Sequence, residues 1–485
     1  MRLITLFLCS VLIVSACASN PVSGRSNFVL VSEQSEVEMG REAAPQVVEQ
    51  FGYYDNAALQ EYVQRVGAQL AANSHRPNLE YHFTVLDSPD VNAFALPGGY
   101  IYITRGMLAY LNSEAELAAV LGHEIGHVTA RHSVQQQTAS TVANLGYTLG
   151  SILLPELRSQ GAQQLFNVVG GAILSGYGRE HELEADRLGA EYMARSGYDP
   201  QAIIQVLGVL KNQESFEQRV AQEEGRAPRT YHGLFASHPD NDTRLQQVVG
   251  RAEALKTANT TRVNRAGFLD MLDGLTFGDS EHEGVRRGNQ FYHGELGFAL
   301  TFPEGWRVEN RPDQLRAQPP GGGALLQINS AEIPPRVAPR EFLRTQLKLG
   351  ALQNGETVQH RGMNGYTALA PVRTSLGERL GRFTVLYFNG RAYVFAGIAA
   401  DPDNPYVYDD VFIKTAQSFR PLSADERALA KAQRLKIIRA RPDTRFAALA
   451  RNSRIPDHAE EQLRLLNHLY PEGEPAPGDL VKIVE

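Results

Sequence analysis

The segment Leu121-Gly-His-Glu-Ile-Gly-His127 decides how the rest of this 485-residue chain is interpreted. Ser113, followed three residues later by Glu116, has the spacing of a capping box at a helix N-terminus. The residues between that start and the segment are mostly alanine, leucine, valine and glutamate, which favour helices. The sequence therefore predicts that the whole segment lies on one helix.

On such a helix, His123 and His127 are four residues apart and lie on the same face. Both imidazoles can then reach one tetrahedral metal ion. Glu124 lies about 100° around the helix from His123, which places its carboxylate beside the metal. A carboxylate at that position can take a proton from a water that the metal activates.

The composition is that of an ordinary multidomain globular protein. Charged residues make up 21% and hydrophobic residues 43% of the chain, and the net charge of −7 is mild for this length, so nothing favours nucleic-acid binding. Cys9 and Cys17 are the two cysteines, and both lie near the N-terminus. The rest of the chain can have no disulfide and no thiolate metal site, so a metal must be held by histidine and carboxylate.

The N-terminus has the pattern of a bacterial lipoprotein signal peptide over residues 1–16. Arg2 precedes an apolar run, which ends in Val14-Ser-Ala-Cys17 and resembles a lipobox. The resemblance implies that Cys17 is lipidated after cleavage, and Ala18 favours the outer membrane over the inner one. We therefore expect a periplasmic chain anchored to the outer membrane through lipid; an ordinary signal peptide is the alternative.

A catalytic metal site needs a third protein ligand, with a fourth position left to water. His132 follows His127 by five residues, about 500° further around a continuous helix, so it drifts off the metal-facing side. A second predicted helix begins in Ser175–Asp186, which contains four possible donors: Glu180, His181, Glu182 and Glu184. We choose Glu182, because Asp186 is its i+4 neighbour and can accept the second ring N–H of a liganding histidine.

The two motifs, His123-Glu-Ile-Gly-His127 and Glu182-Leu-Glu-Ala-Asp186, together resemble the gluzincin family of CAAX prenyl proteases and HtpX-type membrane proteases. The resemblance extends over about residues 20–255 and is closest to periplasmic, BepA-like lipoprotein members. It implies one Zn²⁺ per chain, and its site residues would be the ligands His123, His127 and Glu182, the general base Glu124 and the supporting Asp186.

The same resemblance implies that His238 approaches the active site and that Arg244 lies on the helix that follows. A histidine or arginine facing the open zinc position can stabilise the oxyanion of a tetrahedral intermediate. His238 could instead occupy that position and hold the enzyme at rest. The alternative from the residues alone is that Pro239 and Asp240 begin a helix, with His238 exposed at its cap.

Two features around the motifs leave alternatives open. Gly98-Gly99 precedes a predicted strand, Tyr100–Thr104; the glycines form either a tight turn or the lead into an exposed strand that pairs with substrate. The apolar runs 142–154 and 165–175 fall short of about 18 residues, so we expect buried core helices or, alternatively, a mobile lid, and not membrane spans.

The predicted fold class is multidomain α+β. After the signal peptide, a mainly helical peptidase domain with a small sheet covers 17–260 and a linker covers 261–288. A small α+β domain, loosely PsbP-like, covers 289–420. The final segment, 421–485, has the order strand, helix, helix, Pro-Gly, strand and resembles a divergent LysM module, which implies possible peptidoglycan binding.

The sequence therefore predicts a zinc metalloendopeptidase of the bacterial envelope. Its substrates would be proteins or peptides of the envelope, cleaved in quality control or processing. The alternative is an envelope chaperone or scaffold, or a peptidoglycan-binding protein, whose peptidase site is silent or regulated.

Overall fold

The computed structural model describes residues 17–19, 21–22, 24, 26–28, 31–136, 178–223, 241–311, 314–374 and 377–485. The chain forms two compact units, one made of Met1–Phe277 with Arg434–Glu485 and the other of Gly278–Gln433. Helices and several sheets are both present, so the predicted multidomain α+β class is confirmed. The predicted boundaries at 260, 288 and 420 remain predictions.

The helices and strands are numbered along the described chain. The helices are α1 (Glu33–Phe51), α2 (Ala57–Ala72), α3 (Arg105–Tyr110), α4 (Glu114–Ala130), α5 (Arg179–Arg195), α6 (Ala202–Glu223), α7 (Asn241–Leu255), α8 (Arg265–Leu272), α9 (Pro339–Thr345), α10 (Asp409–Ser418), α11 (Phe446–Asn452) and α12 (Ala459–Leu466). The strands are β1 (Cys17–Ser19), β2 (Ser26–Phe28), β3 (His82–Leu86), β4 (Ala93–Leu96), β5 (Tyr100–Thr104), β6 (Thr276–Phe277), β7 (Val285–Arg287), β8 (Gln290–His293), β9 (Phe298–Thr301), β10 (Arg307–Arg311), β11 (Gln314–Gln318), β12 (Ala324–Glu332), β13 (Gln353–His360), β14 (Met363–Thr374), β15 (Gly377–Phe388), β16 (Arg391–Ala399), β17 (Arg420–Pro421), β18 (Gln433–Arg439) and β19 (Leu480–Val484).

Helix α4 is the centre of the first unit. Its start is capped as predicted: the Ser113 hydroxyl accepts the backbone N–H of Glu116 at 3.2 Å. The Glu116 carboxylate in turn accepts the backbone N–H of Asn112 at 2.7 Å, so two donors at the helix start are satisfied. Every residue of α4 is buried, because neighbouring elements, including α2, α5, α6 and β4, pack against it.

Helix α4 ends at Ala130, and its C-cap, Arg131, has a left-handed backbone with φ 60° and ψ 37°. The chain then turns into a new helical segment over residues 132–136. A left-handed arginine is disfavoured by sterics, so its surroundings must hold it. Two partners do so: the Arg131 guanidinium donates to the buried Glu36 at 2.8 Å and to the Val31 carbonyl at 2.9 Å. Glu36 also accepts from buried Arg76 at 2.9 Å.

A three-stranded sheet with the order β3-β5-β4 lies beside these helices. Strand β5 is central, parallel to β3 and antiparallel to β4, so Tyr100–Thr104 has no free edge for a peptide, and the idea that it presents an exposed strand is wrong. Gly98 and Gly99 form the tight turn before it, with φ of 77° and 94°. Strands β3 and β4 are the two outer strands of this sheet in the described part of the chain.

The C-terminal residues of the first unit are built into its core. Strand β18 pairs with β19 and with β6, in the sheet order β19-β18-β6. Lys482 is fully buried, and its ammonium donates to the carbonyls of Ala109 at 2.6 Å and Leu111 at 2.8 Å. The order strand, helix, helix, strand is the predicted one, whereas the likeness of this segment to LysM remains a prediction.

The second unit contains an antiparallel seven-stranded sheet with the order β10-β11-β12-β16-β15-β14-β13. Alternate residues of β16 face two separate cores: Tyr393 and Phe395 pack with Phe412 of α10, and Val394 packs with Phe342 of α9. A four-stranded sheet, β17-β9-β8-β7, contributes Phe298 and other residues to the core on the α10 side.

Some predicted features lie outside the described residues. They are the signal peptide over 1–16, the apolar runs 142–154 and 165–175, and His238. Among the residues that are described, no helix combines the length and the apolar character needed to span a bilayer.

Candidate metal centre

Helices α4 and α5 approach each other unusually closely because glycines line their contact. A side-chain carbon added to Gly126 would lie 2.9 Å from the Ala185 carbonyl oxygen, and one added to Gly189 would lie 2.9 Å from the backbone nitrogen of His123. Both distances are shorter than side-chain carbons tolerate, so only glycine fits at these positions. The close approach brings the start of α5, with Glu182, to the imidazoles of α4.

The three predicted ligands converge. The Nε2 atoms of His123 and His127 are 3.0 Å apart. The Glu182 carboxylate completes the group, with one oxygen 3.6 Å from His123 Nε2 and the other 3.5 Å from His127 Nε2. All three side chains are buried, so the donors form one compact cluster that could hold a metal ion.

The spacing of these donors fits a zinc ion. Two ligands about 2.0–2.1 Å from one tetrahedral ion are about 3.3 Å from each other. The observed separations, 3.0 to 3.6 Å, bracket that value. Two imidazole nitrogens and one carboxylate are also the donor set of many catalytic zinc sites.

His123 is supported directly by a carboxylate. Its Nδ1 lies 2.7 Å from Asp186 Oδ1, which is the hydrogen bond that the i+4 spacing of Glu182 and Asp186 suggested. Asp186 is itself fixed by Arg244 of α7, whose guanidinium donates to both carboxylate oxygens at 2.7 and 2.8 Å. The pair is bidentate and almost fully buried, so the Asp186 carboxylate is held in one orientation.

The charges of this pair stabilise each other. Burial alone would raise the pKa of Asp186, but the charge and hydrogen bonds of Arg244, together with His123, hold it well below its ordinary value. Burial would likewise lower the pKa of Arg244, and the Asp186 charge raises it above its usual range. Asp186 is therefore ionised and acts only as an acceptor, so the hydrogen on His123 lies on Nδ1 and its Nε2 lone pair faces the cluster.

Arg244 also reaches the third donor. Its Nη1 atom is 3.2 Å from Glu182 Oε2, so one guanidinium contacts both carboxylates of α5. The sequence suggested that Arg244 could face an oxyanion. In the structure it instead joins α7 to the residues that support and complete the donor cluster.

His127 is supported through a second imidazole. Its Nδ1 lies 2.9 Å from Nδ1 of His132, and His132 Nε2 lies 3.2 Å from Glu184 Oε2. His181 stacks on His132 with ring centroids 4.2 Å apart, and burial lowers the pKa of His181 to about 4, so it is neutral at pH 7. The hydrogen bond from His132 lowers the pKa of Glu184.

Glu124 follows His123 in α4 and its side chain is fully buried. Burial would lower the pKa of Arg244, and after Asp186 and Glu182 the Glu124 charge also contributes to raising it. Cys17 lies in β1, which pairs with β2, and its lipidation remains a prediction.

Sequence reasoning missed the role of His132. The separation of about 500° between His127 and His132 holds only on one continuous helix, but α4 ends at Ala130 and the left-handed Arg131 redirects the chain. His132 is therefore not a donor to the cluster but a partner of His127. A helix-stop signal before His132 could have indicated this, but arginine is not a residue that favours a left-handed C-cap.

A His-x-x-x-His pair on one buried helix, an intervening glutamate and a carboxylate from a second helix together define a metallopeptidase domain. Residues 57–252 match the family model described as Peptidase family M48. These residues are therefore similar to that family, which confirms the predicted resemblance.

Two relatives show how far the likeness extends. The beta-barrel assembly-enhancing protease of Yersinia pestis is 32% identical over 251 residues, which are 49% of this chain and 48% of that protein. The mitochondrial metalloendopeptidase OMA1 of Schizosaccharomyces pombe is 30% identical over 234 residues, 47% of this chain and 64% of that protein. The chain thus matches about half the length of its bacterial relative.

Among solved structures, cyanobacterial PsbP from Synechocystis sp. PCC 6803 matches 28% of this chain and 95% of its own, at 18% identity and a TM-score of 0.23. A score this low carries no argument, so the PsbP likeness of residues 289–420 remains a prediction.

Proposed function

We propose that the chain is a zinc-dependent endopeptidase of the bacterial cell envelope. The observation that carries this proposal is the convergence of His123, His127 and Glu182 from two helices within a domain of peptidase family M48. The buried cluster has the donor types, the spacing and the supporting hydrogen bonds that a catalytic zinc site needs.

One zinc ion per chain would be held by His123, His127 and Glu182. When bound, the metal supplies Lewis acidity, which polarises a peptide carbonyl and lowers the pKa of water. Asp186 and Arg244 keep His123 in the tautomer that offers Nε2, and Arg244 holds Glu182 from the same side.

Glu124 would perform the proton transfers. Its carboxylate takes a proton from the attacking water and returns it to the nitrogen of the leaving amine. Its complete burial strengthens its electrostatic interactions, because the low local dielectric screens them weakly. His238 is proposed to stabilise the oxyanion that develops on the substrate.

Strand β4 would align the substrate. It is one of the two outer strands of the sheet in the described residues, and it packs against α4, the helix that carries the catalytic motif. An extended peptide that adds to this edge would lie along the metal helix and be held by backbone hydrogen bonds, whatever its side chains.

The leader pattern and the named bacterial relatives support an envelope location. We propose that Cys17 is lipidated and tethers the chain to the outer membrane on its periplasmic side, and that envelope proteins are the substrates in quality control or processing. Fractionation of cells that produce the full-length chain tests the anchor. Recovery with outer membranes supports it, and recovery in the soluble periplasm contradicts it.

A second candidate function is that of an envelope chaperone or scaffold, with a regulated or silent peptidase site. The feature that favours it is the separate unit Gly278–Gln433, whose large sheet has no metal-donor cluster among its described residues. Peptidoglycan binding by residues 421–485 is a further proposal. Sedimentation of the full-length chain with purified sacculi tests it, and a chain that stays in the supernatant contradicts it.

The decisive experiment compares the wild-type chain, lacking residues 1–16, with Glu124→Gln. Glutamine keeps the shape but cannot exchange protons, so we expect unchanged zinc content and casein hydrolysis lower by about 10²- to 10⁴-fold. Glu180→Gln, at an exposed glutamate of α5, is the matched control and should retain full activity.

Hydrolysis by Glu124→Gln at the wild-type rate would contradict the proposed mechanism. If the variant loses hydrolysis but restores envelope function as well as the wild type does in cells, the scaffold function is favoured instead.

A further inference from the structure

The support of His127 differs from that of every other donor, because its second nitrogen faces another imidazole. We propose that His132 is a positioning residue, which fixes His127 as a metal ligand by passing its hydrogen bond on to the carboxylate of Glu184. This inference rests on the proposed metal site and deepens it.

The hydrogen bonds from His127 through His132 to Glu184 allow one consistent assignment of donors and acceptors. The Glu184 side chain is partly open to solvent, and a carboxylate there is an acceptor; Nε2 of His132, 3.2 Å away, therefore carries the hydrogen. A neutral His132 then has an unprotonated Nδ1, which can only accept. Nδ1 of His127, 2.9 Å away, must donate to it. This order leaves the lone pair of His127 on Nε2, the atom that faces His123 and Glu182.

The position of His132 is set by the turn before it. Arg131 holds its left-handed conformation through Glu36 and the Val31 carbonyl. Glu36 of α1 is nearly fully buried and also accepts from Arg76, which lies in the loop after α2. These hydrogen bonds therefore connect α1 and that loop to Arg131 at the end of α4. His132 itself is completely buried under the stacked ring of His181.

The same geometry excludes His132 as a ligand of this metal. Its Nδ1 points at the Nδ1 side of His127, the opposite edge of the ring from the Nε2 atom that belongs to the cluster. Its other nitrogen is engaged by Glu184. The contribution of His132 to the site is therefore made through His127.

The test compares His132→Leu with His132→Asn in the chain lacking residues 1–16. Leucine removes the acceptor, whereas the asparagine oxygen can occupy the place of Nδ1 and accept from His127. We expect zinc affinity, measured by competition with a chromophoric chelator, to fall about 10- to 100-fold in the leucine variant and to stay within about threefold of wild type in the asparagine variant.

The visible absorption spectrum of the Co²⁺-loaded chain adds a readout that a merely structural role would not change. We expect the wild-type spectrum with asparagine and an altered one with leucine. The matched control is His468→Leu, which removes an imidazole that bonds to the Tyr110 carbonyl and not to one of the three metal ligands. It should leave both zinc affinity and the cobalt spectrum unchanged.

Three results overturn the proposal: zinc affinity within twofold of wild type with leucine, an asparagine variant as weak as the leucine variant, or an equal loss in the control. If the leucine variant does not fold, the asparagine variant decides, and an altered cobalt spectrum contradicts the proposal. A wild-type chain that binds no zinc would refute the metal site itself, which is a distinct outcome.

Discussion

The two imidazoles of the metal helix are four residues apart, yet they are supported in different ways. His123 donates directly to Asp186, a buried carboxylate that accepts two hydrogen bonds from Arg244. His127 contacts a second imidazole, and the carboxylate beyond that one, Glu184, keeps 29% of its side chain exposed. One side of the site ends in a buried ion pair and the other side ends near solvent.

The difference shows where the site is rigid and where it can tolerate change. Removing one partner of a buried ion pair leaves the other charge uncompensated, so the His123 side should respond strongly to substitution. An exposed carboxylate is screened by water, so a change at the far end of the His127 side should have a small effect.

The largest effect is expected for Asp186→Asn. The variant leaves the buried Arg244 with Glu182 but without its bidentate partner Asp186, which should lower the free energy of unfolding by about 3 kcal/mol. Zinc affinity should fall about 10- to 100-fold, because His123 loses its anionic acceptor. Urea unfolding of the metal-free chain and chelator competition measure the two effects.

The double variant Asp186→Asn with Arg244→Met is the control for this prediction. Its loss of stability should be smaller than the sum of the two single losses, because the double variant no longer buries the Arg244 charge without Asp186. Strict additivity would show that the two side chains do not act as a pair, and the contrast between the two imidazoles would disappear.

An intermediate effect is expected for Gly126→Ala, which acts on the surroundings of both His123 and His127. The added methyl group would press on Ala185 and separate α4 from α5, at a cost of about 1–3 kcal/mol. Glu182 would move away from both imidazoles, so zinc affinity should also fall. Thermal unfolding with and without zinc measures the change.

Gly208→Ala is the matched control, since α6 offers open space around that glycine. It should raise stability by about 0.5–1 kcal/mol through helix propensity alone. If Gly126→Ala were as stable as this control, the glycine contact would not be what sets the separation of the two helices.

The smallest effect is expected for Glu184→Gln. The amide oxygen still accepts from His132, and only the charge at the exposed end is removed, so zinc affinity should fall by about two- to tenfold. Glu180→Gln on the same helix should leave it unchanged. A loss as large as that of Asp186→Asn would show that the two sides are equally sensitive.

Much of the metal site could be predicted from short-range periodicity. His123, His127, Glu182 and Asp186 are related by i+4 spacings within two helices, and helix geometry then dictates which side chains share a face. His132 could not be placed this way, because its position depends on the left-handed turn at Arg131, and that turn is stabilised by Glu36, 95 residues earlier in the chain. Long-range contacts of this kind leave no periodic signal.

The second unit shows the same limit in strands. Residues 391–399 alternate between two cores, and their sequence indicates a strand because both faces are apolar. The sequence of strand β13 gives no such indication, because Gln353–His360 is largely exposed at the edge of the sheet and carries few apolar residues. Strand β13 forms because it can pair with β14, and its own sequence contributes little to that pairing.

The burial of Lys482 has a consequence for how this protein can be divided. Its ammonium satisfies two carbonyls just before the metal helix, and Asn467 bonds to its backbone in both directions. Truncation of the chain before residue 434 would remove strands β18 and β19, which extend the sheet from β6. The carbonyls of Ala109 and Leu111 would then lose their donor, Lys482. Residues 434–485 are thus an integral part of the first unit. A chain truncated before them to test peptidoglycan binding would report on misfolding and not on binding.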